Sequence, residues 1–280
     1  HFIAYVEKKV KETIKRYALI QPRDRLAVGV SGGKDSLTIL YLLKKWKYNV
    51  TALVIDEGIQ GYREITLKDM KAFCKKYHVS YIIFSYKQEF KKTLDEALPI
   101  LSEKPCTVCG TFRRYLLNKG ARKLNATKLV TGHNLDDEAQ AILMNFLKNK
   151  SDLLARQGPR TGLIEDPLFI PRIKPLFFLT EKEIALYAFF KGFVSTYVEC
   201  PNAYEAFRAD VGAFLNTLEQ KHPGTKQRLI KRFLRDLPQI KSAYRNQSLP
   251  QHCVQCGEPS HNKLCKACEF SLRLLSITTK

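Results

Sequence analysis

Residues 31–36 read Ser-Gly-Gly-Lys-Asp-Ser and stand between two apolar runs, 26–30 and 37–43. The first run predicts a buried strand and the second an amphipathic helix, with a sharp turn at the two glycines. Such a turn brings free N–H groups and the positive end of the helix dipole to one point, where an anion binds. Gly32 and Gly33 let the backbone approach phosphate oxygens because they carry no Cβ. The spacing differs from the Gly-x4-Gly-Lys-Ser/Thr loop, but it favours a nucleotide site over an ordinary strand–turn–helix corner.

Short apolar strands alternate with helices through the first half of the chain. The predicted strands are 25–30, 50–56, 79–84 and 127–131, and the predicted helices are 36–46, 63–77 and 110–124. This alternation is typical of a parallel sheet with helices on both faces, so the predicted fold class is α/β. Ligands on such sheets bind beyond the carboxyl ends of the strands, and the Ser-Gly-Gly segment follows one of these ends.

A second strand end carries the segment Thr131-Gly-His-Asn-Leu-Asp-Asp-Glu138. Apolar residues at helical spacing follow it, which places Asp136 and Asp137 in the first turn of a helix. Carboxylates at that place often do no more than cap the helix and interact with its dipole. Because this strand end is expected to face the nucleotide, we favour a functional role, in which the two aspartates hold Mg²⁺ or position a reacting group.

The chain carries 47 lysine and arginine residues against 27 aspartate and glutamate residues, a formal net charge of +20. An excess of this size suits a polyanionic partner such as RNA, through phosphate contacts and the release of counterions. No apolar run is long enough to span a bilayer, and no signal-peptide segment opens the sequence. A soluble, cytoplasmic protein is therefore expected.

The second half of the chain divides into a connector, a helical region and a cysteine-rich end. Residues 151–178 are interrupted by glycine and proline and predict an irregular connector, after which Thr180 to Glu183 predict the capping box of a helix. Residues 203–245 look helical and strongly basic. A solvated helix face is the simplest explanation, and only the net charge of the whole chain favours RNA binding there. The basic residues that mark this region are Lys226, Arg228, Lys231, Arg232, Arg235, Lys241 and Arg245.

Six of the eight cysteines form three Cys-x2-Cys pairs, which in an intracellular chain favours metal binding over disulfides. The two C-terminal pairs flank a short polar segment and predict a zinc ribbon, in which four thiolates hold a small segment together. The predicted zinc ligands are Cys253, Cys256, Cys265 and Cys268. His252 and His261 lie nearby but are left out because four cysteines complete the shell. Cys74 stands alone on a predicted helix and is expected in the core.

The remaining pair, Cys106 and Cys109, has one further candidate partner, Cys200 in the segment Glu-Cys-Pro-Asn. Three thiolates make a poor structural zinc site, but they suit an iron–sulfur cluster in which one iron is left open. A persulfide mechanism without a cluster is the alternative: Cys106 or Cys109 would carry the sulfur and Cys200 would resolve it. Three unrelated buried cysteines explain the pattern poorly, because a Cys-x2-Cys pair is expected at the mouth of the nucleotide site.

Taken in order, these motifs resemble those of the TtuA/NcsA group of tRNA 2-thiouridine synthases, which is close to TtcA among the N-type ATP pyrophosphatases. The resemblance covers essentially the whole chain. It implies a PP-loop sheet of the adenine nucleotide alpha-hydrolase type, a 4Fe–4S cluster on Cys106, Cys109 and Cys200, and Asp137 as the catalytic aspartate. The ATP contacts that it implies are Val30, Ser31, Gly32, Gly33, Asp35, Ser36, Ile55, Arg113 and Gly132. Family members often carry lysine where this chain has Arg113.

An organisation in four parts also follows from the resemblance. Residues 1–20 would form a helix after an N-terminal zinc ribbon, because family members open with a ribbon whose last ligand is a histidine and this chain begins at His1. No zinc is assigned to His1. The other parts are a catalytic domain over 21–200, a basic helical region over 201–248 and a zinc ribbon over 249–280.

The implied function is that of a tRNA-uridine 2-sulfurtransferase. ATP with Mg²⁺ would adenylate the C2 oxygen of a uridine and release pyrophosphate, and cluster-bound sulfur would displace AMP to give 2-thiouridine. The alternatives are the persulfide route, 2-thiocytidine synthesis, another ATP pyrophosphatase such as a lysidine or amide synthetase, and an RNA-binding zinc-ribbon protein without catalysis. The expected partners are tRNA, a sulfur donor (a ubiquitin-like thiocarboxylate protein or sulfide) and a second copy of the chain, with no membrane contact.

Overall fold

A parallel sheet of five strands organises the described part of the chain. The computed structural model describes residues 1–163, 166–193, 198–202, 207–245 and 251–276. The strands of the sheet are β1 (Arg25–Val30), β2 (Asn49–Asp56), β3 (Tyr81–Ser85), β4 (Lys128–Val130) and β5 (Arg172–Ile173), in the order β3-β2-β1-β4-β5. Every neighbouring pair is parallel, which confirms the predicted α/β class.

Helices connect the strands and continue beyond the sheet. Those before and between the strands are α1 (Phe2–Arg16), α2 (Lys34–Lys45), α3 (Arg63–Lys76), α4 (Tyr86–Phe90), α5 (Leu94–Leu101), α6 (Pro105–Lys123), α7 (Leu135–Leu147) and α8 (Ser151–Ala155). Those after the sheet are α9 (Glu181–Phe190), α10 (Phe207–Lys221), α11 (Thr225–Arg245) and α12 (Lys266–Ser276). A short antiparallel pair, β6 (Gln251–His252) and β7 (Pro259–Ser260), precedes α12.

Alternate residues of the central strand pack into two different cores. Leu26 and Val28 of β1 pack with α1, α2, α3 and α9 on one face of the sheet. Ala27 packs with Ala121 of α6 on the other face. Because both faces are covered, the open part of the sheet is the edge formed by the carboxyl ends of its strands, where ligands bind in such folds.

Most predicted elements begin within two residues of the observed ones, but the helix predicted at 110–124 begins at Pro105. That boundary was wrong by five residues. Proline is well suited to the first position of a helix, where its missing N–H has no partner to lose. The earlier start places Cys106 and Cys109 on the helix itself.

The predicted connector over 151–178 includes two short elements that the sequence did not indicate. This stretch contains α8 and the edge strand β5, whose two residues pair with Leu129 and Val130 of β4. A strand of two residues is too short to show a periodicity in the sequence. The capping box that follows is confirmed, because Thr180 caps α9 and its hydroxyl accepts the backbone N–H of Glu183.

The predicted basic helical region consists of two helices, α10 and α11, separated by a turn at Gly224, which has a φ of +85°. Residues 203–206, where this region was expected to begin, lie outside the described residues. None of the helices described above combines the length and the apolar character that a bilayer crossing requires.

Candidate active site

The Ser-Gly-Gly segment forms a tight loop between β1 and α2, at the carboxyl edge of the sheet. The N–H of Ser31 donates to Ser36 Oγ at 3.2 Å, and the N–H of Gly33 donates to Ser31 Oγ at 3.3 Å. Gly32 has a φ of +96°, and a Cβ there would lie 2.4 Å from the carbonyl oxygen of Thr66, so only glycine fits. The loop leads directly into the N-terminus of α2, which is the geometry of an anion site.

The loop after β4 lies against the first turn of α2. A Cβ on Gly132 would lie 2.9 Å from the carbonyl carbon of Asp35 and from the backbone nitrogen of Ser36, so the close approach requires glycine. Asn134 Nδ2 donates to Asp35 Oδ1 at 3.1 Å, across 99 positions of sequence. The structure thus brings the two predicted nucleotide motifs into direct contact.

Asp137, the predicted catalytic residue, stands in the first turn of α7. The N–H of Asn134 donates to Asp137 Oδ2 at 3.1 Å, and Arg208 Nη1 of α10 donates to Oδ1 at 3.3 Å. Partial removal from water raises the pKa of Asp137 to about 6, against the opposing effects of the Asn134 N–H and of Arg208, and the nearby Asp35 raises it further. A carboxyl group that titrates near neutrality is suited to taking up or releasing a proton.

The neighbouring Asp136 is engaged in contacts within the protein. One oxygen of Asp136 is paired with Lys226 Nζ of α11, and the other accepts the N–H of Glu181 at 2.7 Å. Both oxygens are therefore used within the protein. The position of Lys226 is a correction. A solvated face and an RNA-binding face both require this side chain to be exposed, but it is only 6% exposed.

Sequence reasoning missed a buried network around Glu57, which directly follows β2 and is 4% exposed. Its Oε2 lies 2.9 Å from Arg63 Nε, and its Oε1 accepts from Arg113 Nε at 2.8 Å. Arg63 donates in turn to the carbonyl oxygens of Ser31 and Ile55, at the ends of β1 and β2. No motif marks Glu57. The only signal in the sequence was an acidic residue immediately after an apolar strand.

The last predicted ATP contacts lie around this network. Val30 and Ile55 stand at the carboxyl ends of β1 and β2, and each is 3% exposed. Arg113 reaches from α6 to Glu57, and its Nη2 lies 3.0 Å from Cys109 Sγ. Its guanidinium therefore lies between the network that holds the nucleotide loop and the first Cys-x2-Cys pair.

The three cysteines predicted to bind a cluster lie in the region where α6 begins. Cys106 and Cys109 are three positions apart on the helix, so they face the same side. Cys106 Sγ lies 3.8 Å from the carbonyl oxygen of Asn202, and Cys200 packs on the buried cluster of side chains that contains Cys109. Burial raises the pKa of Cys109, while the charge of Arg113 acts in the opposite direction.

This set of donors fits a cluster of several metal ions better than a single ion. Cys106, Cys109 and Cys200 do not form a group whose sulfur atoms all lie within 4.8 Å of one another. In an iron–sulfur cluster each thiolate binds a different iron, which allows the wider spacing. Arg113 beside Cys109 favours the thiolate form that iron binding requires.

The four C-terminal cysteines surround one point, with all four sulfur atoms within 4.8 Å of one another. The N–H of Cys265 donates to Cys253 Sγ at 3.3 Å, and the N–H of Cys268 donates to Cys265 Sγ at 3.4 Å. Such donors support thiolate ligands. His252 and His261 have hydrogen-bond partners outside the ribbon. Four thiolates around one point are a donor set suited to a single tetrahedral metal ion.

The ribbon packs against α6, the helix that carries the first Cys-x2-Cys pair. Glu258 of the ribbon is 7% exposed, accepts from Asn118 Nδ2 at 2.6 Å and pairs with Arg122, both on α6. Phe270 of α12 meets Phe112 of α6 edge to face, with ring centroids 6.0 Å apart. The folded ribbon therefore helps to hold α6, the helix that carries Cys106 and Cys109, in position.

Cys268→Ser is expected to remove the metal of the ribbon and to lower the melting temperature by about 10 °C or more, because metal affinity at such a site is folding free energy. Metal analysis and calorimetry measure the two effects. His261→Ser is the control, since it alters a neighbouring side chain that is not in the thiolate group. Loss of the metal without any change in melting temperature would contradict the structural role of the ribbon.

Comparison with known proteins agrees with this geometry. A family model described as a PP-loop domain matches residues 4–202. The tRNA-5-methyluridine(54) 2-sulfurtransferase of Pyrococcus horikoshii is 37% identical over 270 residues, which cover 96% of this chain and 86% of that protein. Cytoplasmic tRNA 2-thiolation protein 1 of Drosophila willistoni is 38% identical over 277 residues, which cover 95% of this chain and 79% of that protein.

A solved structure is similar over almost the whole chain. It is the U34-tRNA thiolase NcsA from Methanococcus maripaludis with its 4Fe-4S cluster, with a TM-score of 0.83 and 33% identity, covering 98% of this chain and 88% of that one. The parallel sheet and the Ser-Gly-Gly loop define a PP-loop protein. Within that class, the chain belongs to the family of the tRNA 2-thiolation proteins, which confirms the resemblance noted from its motifs.

Proposed function

We propose that this chain catalyses the ATP-dependent 2-thiolation of a uridine in tRNA. The observation that carries the proposal is the contact between two sites: Arg63, Glu57 and Arg113 join the Ser-Gly-Gly loop to the helix of the first Cys-x2-Cys pair. An enzyme that activates a base with ATP and then replaces its oxygen by sulfur needs these two sites within reach of one nucleotide. Relatives named for tRNA 2-thiolation support the same reaction.

The residues at the carboxyl edge of the sheet suit the first step. The C2 oxygen of uracil is a poor leaving group. When it attacks the α-phosphate of ATP, pyrophosphate is released and the base becomes an O-adenylate, from which the oxygen can later leave as part of AMP. The backbone N–H groups of the Ser31 loop and the guanidinium of Arg113 offset the charge of the phosphates. Asp35 is the carboxylate that would hold Mg²⁺ there, since Asp136 is occupied by Lys226 and Asp137 is assigned to position the reacting group and its proton.

The thiolate site suits the second step. When bound to Cys106, Cys109 and Cys200, an iron–sulfur cluster supplies an iron with an open coordination position for the incoming sulfur. The base must leave its stack to reach both sites, which favours a nucleotide in a loop over a paired one. Arg113 holds Cys109 in place through its contact with the sulfur. The ribbon holds α6 through the contact between Glu258 and Asn118.

The test is thiolation by anaerobically purified protein with unmodified tRNA, MgATP and sulfide. Mass spectrometry of the digested tRNA should show 2-thiouridine, with one AMP formed for each thiolated base. The names of the relatives specify uridines 54 and 34, so fragments around both positions are mapped. Turnover of ATP with 2-thiocytidine, or with no thiolated base, would contradict the proposal.

The basic surface favours tRNA as the partner, with a formal net charge of +20. Binding of tRNA is expected to weaken at least about tenfold between 50 and 200 mM salt, because bound phosphates release counterions. Electrophoretic or anisotropy titrations at several salt concentrations measure this. If the affinity for tRNA does not change with salt, the positive charge does not contact RNA phosphates and belongs to a solvated surface only.

The remaining parts of the proposal concern zinc, the sulfur donor and the assembly. We assign zinc to Cys253, Cys256, Cys265 and Cys268, and either sulfide or a ubiquitin-like thiocarboxylate as the source of sulfur. A homodimer in the cytoplasm is the expected form of the enzyme. Sedimentation of the purified protein and exchange of the two sulfur donors in the thiolation assay test these points.

A further inference from the structure

Two arginines, one on α6 and one packed against that helix, have no acidic partner among the residues that the structure describes. Arg114 follows Arg113 on α6, and its side chain folds over Gly110, where a Cβ would lie 3.1 Å from Arg114 Nη1. Among the residues that the structure describes, this guanidinium makes no hydrogen bond and no ion pair. Arg172 of β5 contacts the same helix, with its Nη2 donating to the carbonyl oxygen of Arg114 at 3.3 Å.

Arg172 is held in place, but its hydrogen-bonding capacity is only partly used. Its Cζ lies 5.5 Å from the centre of the Phe169 ring, and its Nε is buried without a hydrogen-bond partner. Burial and the charge of Arg114 lower the pKa of Arg172 to about 10, and Glu258, which acts in the opposite direction, is already bound by Arg122. A buried N–H without a partner and two adjacent like charges are both unfavourable, and a bound anion would offset both costs.

The two arginines lie near residues of the proposed active site. Arg114 lies over Gly110, directly after Cys109. Desolvation lowers the pKa of His133, and the positive charges around it, that of Arg172 among them, lower it further. Arg114 therefore lies beside the first Cys-x2-Cys pair, and Arg172, which contacts the Arg114 backbone, lies close enough to the loop that follows β4 to act on His133.

We propose that Arg114 and Arg172 form a phosphate site that takes a phosphodiester of the tRNA beside the target uridine. The inference rests on the proposed function. A uridine that enters the site carries its own phosphates with it, and these lie within one nucleotide of the reacting base. Arginine side chains bind phosphate oxygens through paired N–H groups, and Arg172 Nε is one donor that is free to do so. A phosphate group of ATP presents the same oxygens and is the other candidate ligand for this site.

The test compares Arg114→Gln and Arg172→Gln in the metal-loaded, full chain, with Arg16→Gln as the control because Arg16 is exposed at the end of α1. Each of the first two is expected to weaken tRNA binding about fivefold and to make the slope of log K against log salt less negative by about 0.9, because one phosphate contact is lost. The affinity for a non-hydrolysable ATP analogue stays at the wild-type value. Arg172→Lys restores the slope but not the full affinity, because lysine supplies the charge without the paired donors.

A tRNA affinity and salt slope equal to those of the wild type in both glutamine variants would overturn the inference. Weaker binding of the ATP analogue with unchanged tRNA binding would keep a phosphate site but overturn its assignment to RNA. Failure of the proposed function looks different: the wild-type protein would bind tRNA in a salt-dependent manner, lose that binding in the two variants, and form no 2-thiouridine.

Discussion

Asp137→Asn is expected to lower the rate of 2-thiouridine formation by about a hundredfold or more, with the affinity for ATP within about threefold of the wild type. Asparagine keeps an oxygen that accepts the N–H of Asn134, so the cap of α7 is retained. It removes the charge and the titrating proton next to Asp35 and the nucleotide loop. Single-turnover thiolation and equilibrium binding of an ATP analogue separate the two effects.

Asp136→Asn is the matched control, one position away. Asp136 pairs with the buried Lys226, and removal of one charge from a buried pair costs about 3 kcal/mol or more of unfolding free energy. Denaturant titration should therefore show a clear loss of stability for Asp136→Asn and little for Asp137→Asn. Full thiolation activity in Asp137→Asn would leave Asp137 with the role of a helix cap only.

Serine at Cys106, Cys109 or Cys200 is expected to abolish both the iron chromophore and thiolation, while ATP binding survives. The loop between β1 and α2 is built by its own hydrogen bonds, so it does not depend on the thiolates. Anaerobic wild-type protein should hold about four iron and four sulfide per chain, as a cubane cluster requires. Iron and sulfide analysis, the absorption spectrum and ATP-analogue binding are measured on each variant.

Cys74→Ser is the control for these substitutions. Cys74 lies in the core on α3, where burial raises its pKa to about 11, and it contacts Met70 rather than the thiolate site. This variant should keep its iron. Robust thiolation by iron-free protein in the presence of a chelator, with unequal losses in the three site variants, would contradict the cluster mechanism and support the persulfide route.

Features with a local cause could be predicted from the sequence. The Ser-Gly-Gly loop follows from two glycines between apolar runs, and β1 was predicted with its observed bounds. The four C-terminal cysteines were recognised as a group because ligands of one metal ion must lie close together, which fixes their spacing along the chain. The capping box at Thr180 was equally local.

Features that depend on contacts between distant segments were missed or misassigned. Glu57 joins two arginines that reach it from α3 and α6, and nothing near it in the sequence indicates this. Lys226 was assigned to an exposed basic face, solvated or RNA-binding, because charge patterning cannot show which turn of a helix meets a buried aspartate. The edge strand β5, which carries Arg172, is defined by its pairing with β4 rather than by its own two residues.

The sequence by itself determined the α/β sheet, the Ser-Gly-Gly loop and the group of four C-terminal cysteines, because strand patterning, glycine conformations and ligand spacing act over a few residues. Only the tertiary structure decided which charges are paired. It paired Asp136 with Lys226 and Asp137 with Arg208, and it set Arg114 and Arg172 side by side without an acidic partner in the described part of the chain. Burial and pairing of charge depend on distances between segments far apart in the chain, and those distances are fixed when the helices pack on the sheet.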